Sequence, residues 1–313
     1  MLVSRRTLLK GVAAGATAAV AGGASAREKV APSPGAVGMP YDSTRCVGCR
    51  GCVAACKEAN DLPADDLQGR DGPADLGSTT KCVVKEIATG REPVYVKQQC
   101  MHCIDPPCVS VCMLGALHKE GEGKRKLPGE HVGTGIVLYD EGLCVGCRYC
   151  QIACAFSVPR FEWGKPFPAI VKCELCQHRA DPSKGGPYAV ANPACCEVCP
   201  AQAVIFGRRP ELLDEASRRL AAEPRRYNGK IYGATENGGT QVLYLAAAGV
   251  TYPQLGLPDL PAQSSAHFSE SVSHAPYLHG ITPIALYAAA AFVIRRNRKK
   301  QEEEILDHEE DRP

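Results

Sequence analysis

Eighteen cysteines constrain this 313-residue chain more than any other feature. Aromatic residues are no more numerous than cysteines, so we expect something other than a large aromatic core to hold much of the fold. A net charge of only +2 removes the usual electrostatic argument for nucleic-acid binding. Sixteen cysteines fall into four groups: Cys46, Cys49, Cys52 and Cys56; Cys100, Cys103, Cys108 and Cys112; Cys144, Cys147, Cys150 and Cys154; Cys173, Cys176, Cys195 and Cys199.

The first and third groups are copies of one motif. Residues 41–56, YDSTRCVGCRGCVAAC, align without gaps on residues 139–154, YDEGLCVGCRYCQIAC, with ten identities in sixteen positions. A weaker similarity joins the second group to the fourth, through VCMLGA at 111–116 and VCPAQA at 198–203. The chain therefore contains an internal repeat with an offset of 98 residues.

The spacing within the copies predicts the cofactor. Both copies have the C-x2-C-x2-C-x3-C pattern of bacterial ferredoxins, in which three thiolates hold one cubane and the fourth cysteine ligates the partner cluster. Such motifs work in pairs, so four groups predict four [4Fe-4S] clusters. Pro200 retains the proline that commonly follows the last ligand.

Two other uses of cysteine fit this pattern less well. Structural zinc sites combine two separated C-x2-C knuckles, whereas three closely spaced thiols followed by a fourth occur twice here. A disulfide framework suits an exported protein with an even cysteine count, but such close neighbours are difficult to pair with separate distant partners. Iron-sulfur clusters are the favoured interpretation, and the sequence leaves both alternatives open.

Two cysteines lie outside the four groups. Cys195-x3-Cys199-Pro200 reproduces the usual spacing, so we expect Cys195 to be a ligand and Cys196 to be the spare, although the sequence also allows Cys196-x2-Cys199. Cys82 has no motif around it and is expected to be a buried or incidental thiol.

Several charged or titratable residues flank the motifs. His102 and His178 are expected to lie near the clusters or at the surface rather than to bind iron, because sixteen thiolates are available. Four basic residues either offset the negative charge of the clusters or are simply solvated: Arg50, Lys57, Arg148 and Lys172.

The first 26 residues are predicted to be an export signal. SRRTLLK at 4–10 precedes a weakly apolar Gly/Ala stretch at 11–23, and ASA at 24–26 has the form of a signal-peptidase site. The paired arginines resemble the twin-arginine signal. An N-terminal membrane anchor is the alternative, and it would need a more hydrophobic run than this one.

Residues 277–294 are predicted to form a transmembrane helix. They are an uncharged, mostly apolar run of 18 residues, followed at once by a basic cluster at 295–300. Because 264–276 contains no Lys or Arg, the positive-inside rule places the C-terminus in the cytoplasm. Gly280 and Pro283 weaken this helix, so a buried amphipathic element is the alternative. Residues 256–276 are then a linker, and 295–313 a cytoplasmic tail.

Together these features resemble one protein family over nearly the whole chain. The chain is similar to the electron-transfer subunit of hydrogenase-2-type membrane-bound uptake [NiFe] hydrogenases, with the beta subunit of formate dehydrogenase as the near relative. The N-terminal signal favours the hydrogenase version, because the formate dehydrogenase subunit normally travels on the signal of its catalytic partner. The similar segments are GMPYDSTRCVGC at 38–49, QCMHCIDPPCVSVC at 99–112, KCELC at 172–176, ACCEVCPAQAVIFG at 194–207 and GGTQVLYL at 238–245.

The resemblance implies an α+β fold of two bacterial-ferredoxin-like modules, one inserted in the other. Within a four-cluster domain at 36–255, the outer module takes 36–98 with 160–210, and the inner module takes 99–159. The resemblance also implies that the first group pairs with the fourth and the second with the third. The implied ligand sets are Cys46, Cys49 and Cys52 with Cys199; Cys173, Cys176 and Cys195 with Cys56; Cys100, Cys103 and Cys108 with Cys154; and Cys144, Cys147 and Cys150 with Cys112.

The same resemblance implies a relay rather than a catalyst. The chain would lie on the periplasmic side of the inner membrane, beside the small and large subunits of a [NiFe] hydrogenase. Electrons would pass through its four clusters to an integral membrane partner that reduces quinone. The sequence has no nickel-site, G-x-G-x-x-G or P-loop motif, and no residue is assigned as catalytic. The alternatives are the same relay in a molybdenum enzyme such as formate dehydrogenase, a self-contained iron-sulfur enzyme, and a structural metal-binding scaffold.

Replacing both Arg5 and Arg6 with Lys should leave the precursor in the cytoplasm, because the twin-arginine pathway reads this pair. Immunoblots of periplasmic, membrane and cytoplasmic fractions give the measurement. Normal export of the double variant would mean that the pair is not the export signal.

Overall fold

The structure, a computed structural model, describes the ranges 29–65, 74–89, 92–120, 133–165, 168–179, 192–270, 287–288 and 291–296. Lys29–Ala266 form one compact unit, and the described residues from 267 onward belong to a second. All eighteen cysteines lie in the first unit. The predicted export signal at 1–26 lies outside the described residues.

The described part of the first unit combines short strands with short helices. Its strands are β1 Val37–Asp42, β2 Val83–Ile87, β3 Val94–Gln98, β4 Leu117–Lys119, β5 Val137–Tyr139, β6 Arg160–Phe161, β7 Ile170–Val171, β8 Gly207–Arg208, β9 Tyr227–Tyr232 and β10 Val242–Ala247. Its α-helices are α1 Gly51–Glu58, α2 Pro107–Ser110, α3 Tyr149–Ala153, α4 Ala194–Glu197 and α5 Arg209–Ala222. Short 3-10 helices lie at Glu141–Leu143, Gln177–Arg179, Glu236–Gly238 and Pro253–Leu255.

A four-stranded sheet brackets all the cysteine groups. Its order is β8-β1-β10-β9, and β1 and β10 are parallel neighbours with Met39 opposite Val242 and Asp42 opposite Leu245. Both strands consist almost entirely of buried residues, as strands covered on both faces do. Because β1 precedes the first cysteine group and β10 follows the last, their pairing joins the two ends of the segment that contains all the cysteines.

Gly38 permits the close approach of these two strands. A Cβ atom at this position would lie 1.9 Å from the carbonyl oxygen of Gln241, which is a backbone atom and cannot move aside cheaply. Met39 N–H donates to that same carbonyl at 3.1 Å. A residue without a side chain is therefore required at this point of β1.

The remaining strands form three antiparallel hairpins, and the short helices pack in two pairs. The hairpins are β2 with β3, β4 with β5, and β6 with β7. Helix α1 of the first cysteine group packs against α4 of the fourth, and α2 of the second group packs against α3 of the third. The arrangement is a mixed α and β iron-sulfur type of domain, as predicted.

Residues 210–255 contribute more to the fold than the sequence indicated. The predicted domain at 36–255 includes this segment, but apart from its first residue the segment belongs to neither predicted ferredoxin-like module. In the structure it supplies α5 and two of the four strands of the central sheet, β9 and β10. The segment is therefore a core part of the cluster domain. The division of the domain into two modules at 99 and 160 stays a prediction.

None of the helices in the described residues is long and apolar enough to span a membrane. Most of the predicted span at 277–294 falls outside those residues, since only 287–288 and 291–294 of it are described.

A buried carboxylate ties β1 to α5 and β9. Asp42 is fully buried and accepts hydrogen bonds from Tyr227 Oη at 2.9 Å and from Arg219 Nη1 at 3.1 Å. It also accepts from Thr44 Oγ1 at 2.7 Å, at the start of the first cysteine loop. A charge in this position is stabilised only because every neighbour donates to it.

Asp42→Ala should lower the free energy of unfolding by about 1–3 kcal/mol, because it leaves the Tyr227 hydroxyl without its acceptor and leaves Arg219 with one of its two carboxylates, that of Glu215. The urea midpoint of the anaerobically purified protein measures the change. Glu223→Ala is the matched control: its pair with Arg226 is exposed, and its loss should cost less than about 1 kcal/mol. Equal shifts in both variants would show that the Asp42 network does not stabilise the sheet.

Candidate iron-sulfur centres

All four cysteine groups share one backbone feature at their C-x2-C step. The residue just before the second cysteine has a left-handed conformation in each: φ is 70° at Gly48, 46° at His102, 69° at Gly146 and 52° at Leu175. This turn directs the N–H of that residue at the first sulfur. Gly146 N–H donates to Cys144 Sγ, and Leu175 N–H donates to Cys173 Sγ, each at 3.4 Å. The repeat in the sequence is therefore a repeat of loops that carry cysteines and whose backbone directs N–H groups at the cysteine sulfurs.

Glycine is required in the first of these loops for two reasons. A Cβ atom at Gly48 would lie 2.3 Å from the ring of Tyr95, and the left-handed backbone would be strained for any residue with a side chain. The corresponding Gly146 has more room, with the Phe161 ring 3.4 Å away, so only its conformation favours glycine there.

Within each copy of the repeat, a second left-handed residue lies immediately before the helix. Arg50, with φ 58°, precedes α1, and Arg148, with φ 63°, precedes α3 at the same repeat position. Helix α1 carries Cys56, and Cys154 directly follows α3. The helices therefore take each fourth cysteine away from its own triplet.

Site I is a small cavity between the first and fourth cysteine groups. Tyr41, Val84 and Lys97 form part of its lining. Cys49 is exposed, whereas the other three thiols are half-buried. The four thiols that line it are Cys46, Cys49, Cys52 and Cys199.

Site II is the neighbouring cavity, and its lining also includes Lys97 and Glu174. Four of its thiols are Cys56, Cys173, Cys176 and Cys195. All four are buried. The helix of the first group thus places Cys56 beside the triplet of the fourth group.

Cys82 is a fifth thiol at site II, which the sequence analysis did not foresee. It lines the same cavity and is only 2 % exposed. A hydrogen bond between the thiols of Cys82 and Cys56 raises the pKa of Cys56 and lowers that of Cys82. The expectation of a buried thiol is correct, but its position beside Cys56 follows from the β2 strand that it precedes, and no motif marks it.

Cys195 rather than Cys196 lines site II. Cys195 is buried at the start of α4, and Cys196 is half-buried. A hydrogen bond between the two thiols lowers the pKa of Cys195 and raises that of Cys196. The neighbour with the lower pKa is the better thiolate donor, and it is the one that faces the cavity.

Three of the four thiols of site III are buried. Cys100, Cys103 and Cys108 are each 8 % exposed, and Cys154 is half-buried. Burial raises the pKa of Cys103, and the nearby thiols of Cys154, Cys108 and Cys100 raise it further. Asn237 Nδ2 donates to Cys103 Sγ at 3.8 Å. These four sulfurs therefore lie close together.

Site IV is lined mainly by apolar side chains around four thiols. Burial raises the pKa of Cys150 to about 11, with Cys112, Cys144 and Cys147 adding to the rise. Leu117 N–H donates to Cys112 Sγ at 3.4 Å. The lining thiols are Cys112, Cys144, Cys147 and Cys150.

Interactions between thiols link the four sites in the order I, II, III and IV, and we call this series the row. Burial is the main cause of the raised pKa of Cys52, Cys173 and Cys108. In each case a thiol of the next site raises that pKa further. The thiols that interact from one site to the next are Cys52 with Cys195, Cys173 with Cys100, and Cys108 with Cys150. Sites I and IV are the two ends of the row, and they hold the two exposed thiols, Cys49 and Cys147.

Two of the four flanking basic residues are buried rather than solvated. Lys57 is 4 % and Lys172 is 3 % exposed, and Lys172 Nζ donates to the carbonyls of Val137 and, at 3.1 Å, Cys173. Lys57 pairs with Asp65. Arg50 and Arg148 are half-buried, and the Arg148 guanidinium lies 4.6 Å from the ring centroid of Trp163.

Sequence reasoning missed one lysine that lines two of the sites. Lys97 lines both site I and site II. Burial alone would lower the pKa of Lys97, but the thiols of Cys195, Cys82, Cys52 and Cys173 raise it. The available signal was a lysine directly after the apolar run VYV at 94–96, three residues before Cys100.

The two histidines near the motifs have different environments. His102 is fully buried, its Nδ1 accepts a hydrogen bond from Val137 N–H at 3.0 Å, and burial lowers its pKa, with Lys172 and Lys119 adding to that effect. His178 is exposed, with Nε2 2.7 Å from the carbonyl oxygen of Ala59. Neither imidazole lines site I, II or IV.

The donor set of these sites fits iron-sulfur clusters. Soft thiolates with N–H groups directed at sulfur are the ligands and tuning groups that such clusters use. All eighteen cysteines are described and all are free thiols, so the structure contains none of the disulfides that the sequence left open. Among the described residues, no three His, Cys, Asp or Glu side chains are placed to hold a single metal ion. Bound cluster iron would supply the positive charge that keeps these buried thiolates ionised.

Comparison with known proteins gives the family. The 4Fe-4S dicluster domain family matches residues 92–209. The hydrogenase-2 operon protein HybA of Escherichia coli O157:H7 is 38 % identical, over 94 % of this chain and 95 % of that protein.

Two further relatives from Escherichia coli K12 are 32 % identical. One is the iron-sulfur subunit of the nitrate-inducible formate dehydrogenase, matched over 65 % of this chain and 66 % of that subunit. The other is the B subunit of anaerobic dimethyl sulfoxide reductase, matched over 60 % of this chain and 80 % of that subunit. With its four thiol sites and its match to HybA over nearly the full length of both proteins, the protein belongs to the iron-sulfur protein family that contains the hydrogenase-2 operon protein HybA.

Proposed function

We propose that this chain is the electron-transfer subunit of a hydrogen-oxidising membrane complex, relaying electrons from a [NiFe] hydrogenase small subunit to a quinone-reducing membrane partner. One observation carries the proposal: interactions between thiols link sites I, II, III and IV in that order, and each end site has one exposed thiol, Cys49 at site I and Cys147 at site IV. A row with two exposed ends has an entry and an exit, whereas a catalytic centre needs only one opening.

We assign sixteen cysteines as ligands of four [4Fe-4S] clusters, in the sets that line sites I to IV. Three of the sets share the wall of one cavity each. The fourth set, at site III, is supported by the mutual effect of its thiols on the pKa of Cys103. In every site the fourth cysteine comes from a different group than the other three, which is the exchange that two-cluster ferredoxins use.

The contribution of this chain to the reaction is positional and electrostatic. The bound clusters would supply one-electron redox chemistry. The loops with left-handed residues hold the sulfurs, and N–H groups directed at sulfur, buried lysines and burial set how readily each site accepts charge.

The extent of the similarity favours hydrogenase as the partner. The relative matched over 94 % of this chain is named for the hydrogenase-2 operon. The formate dehydrogenase and dimethyl sulfoxide reductase subunits match only 65 % and 60 % of it. We therefore infer an assembly with the small and large subunits of a [NiFe] hydrogenase and with an integral membrane subunit.

The location is proposed from the sequence pattern at both ends. We infer export by the twin-arginine pathway through residues 1–26, a single membrane span at 277–294 and a cytoplasmic C-terminus. The cluster domain then lies on the periplasmic side of the inner membrane, where hydrogenase and quinone partners can both reach it.

Cys195→Ala should remove the cluster of site II, whereas Cys196→Ala should leave all four clusters in place. Iron and acid-labile sulfide, measured on anaerobically purified protein, should each fall from about sixteen to about twelve per chain in the first variant only. Cys82→Ala is a second control and should also keep the full content. Loss of iron from Cys196→Ala would mean that the ligand register is wrong.

A chain that ends at residue 273 should separate the relay from its anchor. The compact unit Lys29–Ala266 remains whole, so hydrogen should still reduce a soluble dye at the normal rate. Reduction of membrane quinone by hydrogen should fall at least about tenfold, because loss of the apolar run removes the association with the membrane. Membranes that lack the chain altogether give the baseline rate of quinone reduction. The same assay with formate in place of hydrogen tests which enzyme is the partner.

Two results would contradict this picture. Quinone reduction at the intact rate would mean that docking depends on the cluster domain alone. A defect with formate but not with hydrogen would replace hydrogenase by a molybdenum enzyme as the partner.

A further inference from the structure

Lys97 is a buried charge that the relay as described so far does not use. It lies on β3 and is 2 % exposed. Its Nζ has no oxygen or nitrogen atom as a hydrogen-bond partner, and no described carboxylate lies within ion-pair distance of it. An unpaired ammonium in such a position carries a large desolvation penalty unless some other negative charge compensates it.

The negative charge that faces Lys97 comes from two thiol sites at once. Lys97 is part of the wall of site I and of site II. Cys52 of site I and Cys195 and Cys173 of site II are among the groups with which its charge interacts. Thiolates around a cluster give each site a negative charge, and Lys97 lies between two of them.

Other buried lysines near the sites have different partners. Lys172 Nζ donates to the carbonyls of Val137 and Cys173, and Lys119 Nζ donates to the carbonyl of Ile104 at 2.6 Å. Lys57 pairs with Asp65. Lys97 differs from these three because the sulfurs of sites I and II are its counter-charges.

The backbone of Lys97 is held firmly in this position. Its carbonyl accepts a hydrogen bond from Tyr244 Oη at 2.5 Å, and its strand pairs with β2 so that Lys97 lies opposite Val84. Two residues earlier, the carbonyl of Tyr95 accepts from Tyr41 Oη at 2.7 Å. The tyrosines of β1 and β10 therefore fix the strand that carries the charge.

We propose that Lys97 sets the reduction potentials of the clusters at sites I and II together, by placing one positive charge between them. The inference rests on the proposed function, because it requires clusters at both sites. Each cluster gains one negative charge when it accepts an electron, so a positive charge nearby favours the reduced form. Placed between two clusters, the same charge attracts the added electron of each one and so offsets part of the repulsion between them when both are reduced.

The test is a redox titration of the purified complex, with dithionite as reductant and ferricyanide as oxidant, followed by electron paramagnetic resonance. In Lys97→Met, the ratio of reduced to oxidised cluster at a fixed potential should fall about tenfold at two of the four clusters. For a one-electron couple this equals about 59 mV. The other two clusters should change by less than about twofold, and iron content should match the unaltered protein.

Two further variants distinguish charge from packing. Lys97→Arg keeps the charge and should restore the titration of both clusters toward that of the unaltered protein. Lys85→Met removes the same charge from the adjacent strand β2, where the lysine is partly exposed and pairs with Asp75, and should leave all four clusters unchanged. Lys97→Gln provides a second neutral side chain.

Several outcomes would overturn the inference. Unchanged titration in Lys97→Met, or equal shifts at all four clusters, would each do so. Loss of iron from both neutral variants would also overturn it, because Lys97 would then be needed for assembly. An unaltered complex without four clusters would instead refute the proposed function, and this inference with it.

Discussion

The gathering of sixteen thiols into four sites, with eight of the thiols buried, is the constraint on which the rest of this structure depends. Burial raises the pKa of the enclosed cysteines, so these thiols by themselves favour the neutral form, which makes weak hydrogen bonds and little else. Bound cluster iron would reverse that preference by supplying positive charge within reach of the sulfurs. The fold brings thiols from distant parts of the sequence to shared cavities, beside a hydrophobic core that includes Met39, Tyr232 and Tyr244.

Much of the cluster arrangement could be predicted from the sequence, because the spacing of the cysteines encodes local geometry. The residue before the second cysteine is left-handed in every loop, and the repeat from Cys46 to Cys56 recurs as the same backbone from Cys144 to Cys154. Spacing alone could not pair the groups, since any triplet accepts a fourth thiol from any other. The pairing came from family resemblance, and its physical cause is the packing of α1 on α4 and of α2 on α3.

The features that the sequence did not reveal depend on contacts between residues far apart in the chain. Strand β10 pairs with β1 about two hundred residues away, and hydrophobic periodicity identifies a strand without identifying its neighbour. Cys82 and Lys97 have no motif, and they reach the thiols only because the β2–β3 hairpin packs beside sites I and II. Such residues are found by asking which side chains line a cavity.

The electrostatic environment differs along the row. Lys97 faces sites I and II, and Lys172 lowers the pKa of Cys100 and Cys108 at site III, against the effect of burial. At site IV the described cationic group in the lining is Arg148, which is half-buried and lies over Trp163, so water screens it more than it screens the buried lysines. A buried positive charge favours the reduced form of its neighbour more than a screened one does. With clusters bound, these charges would therefore favour an added electron more at sites I to III than at site IV, where the exposed side chain of Val145 shares the lining with Cys147.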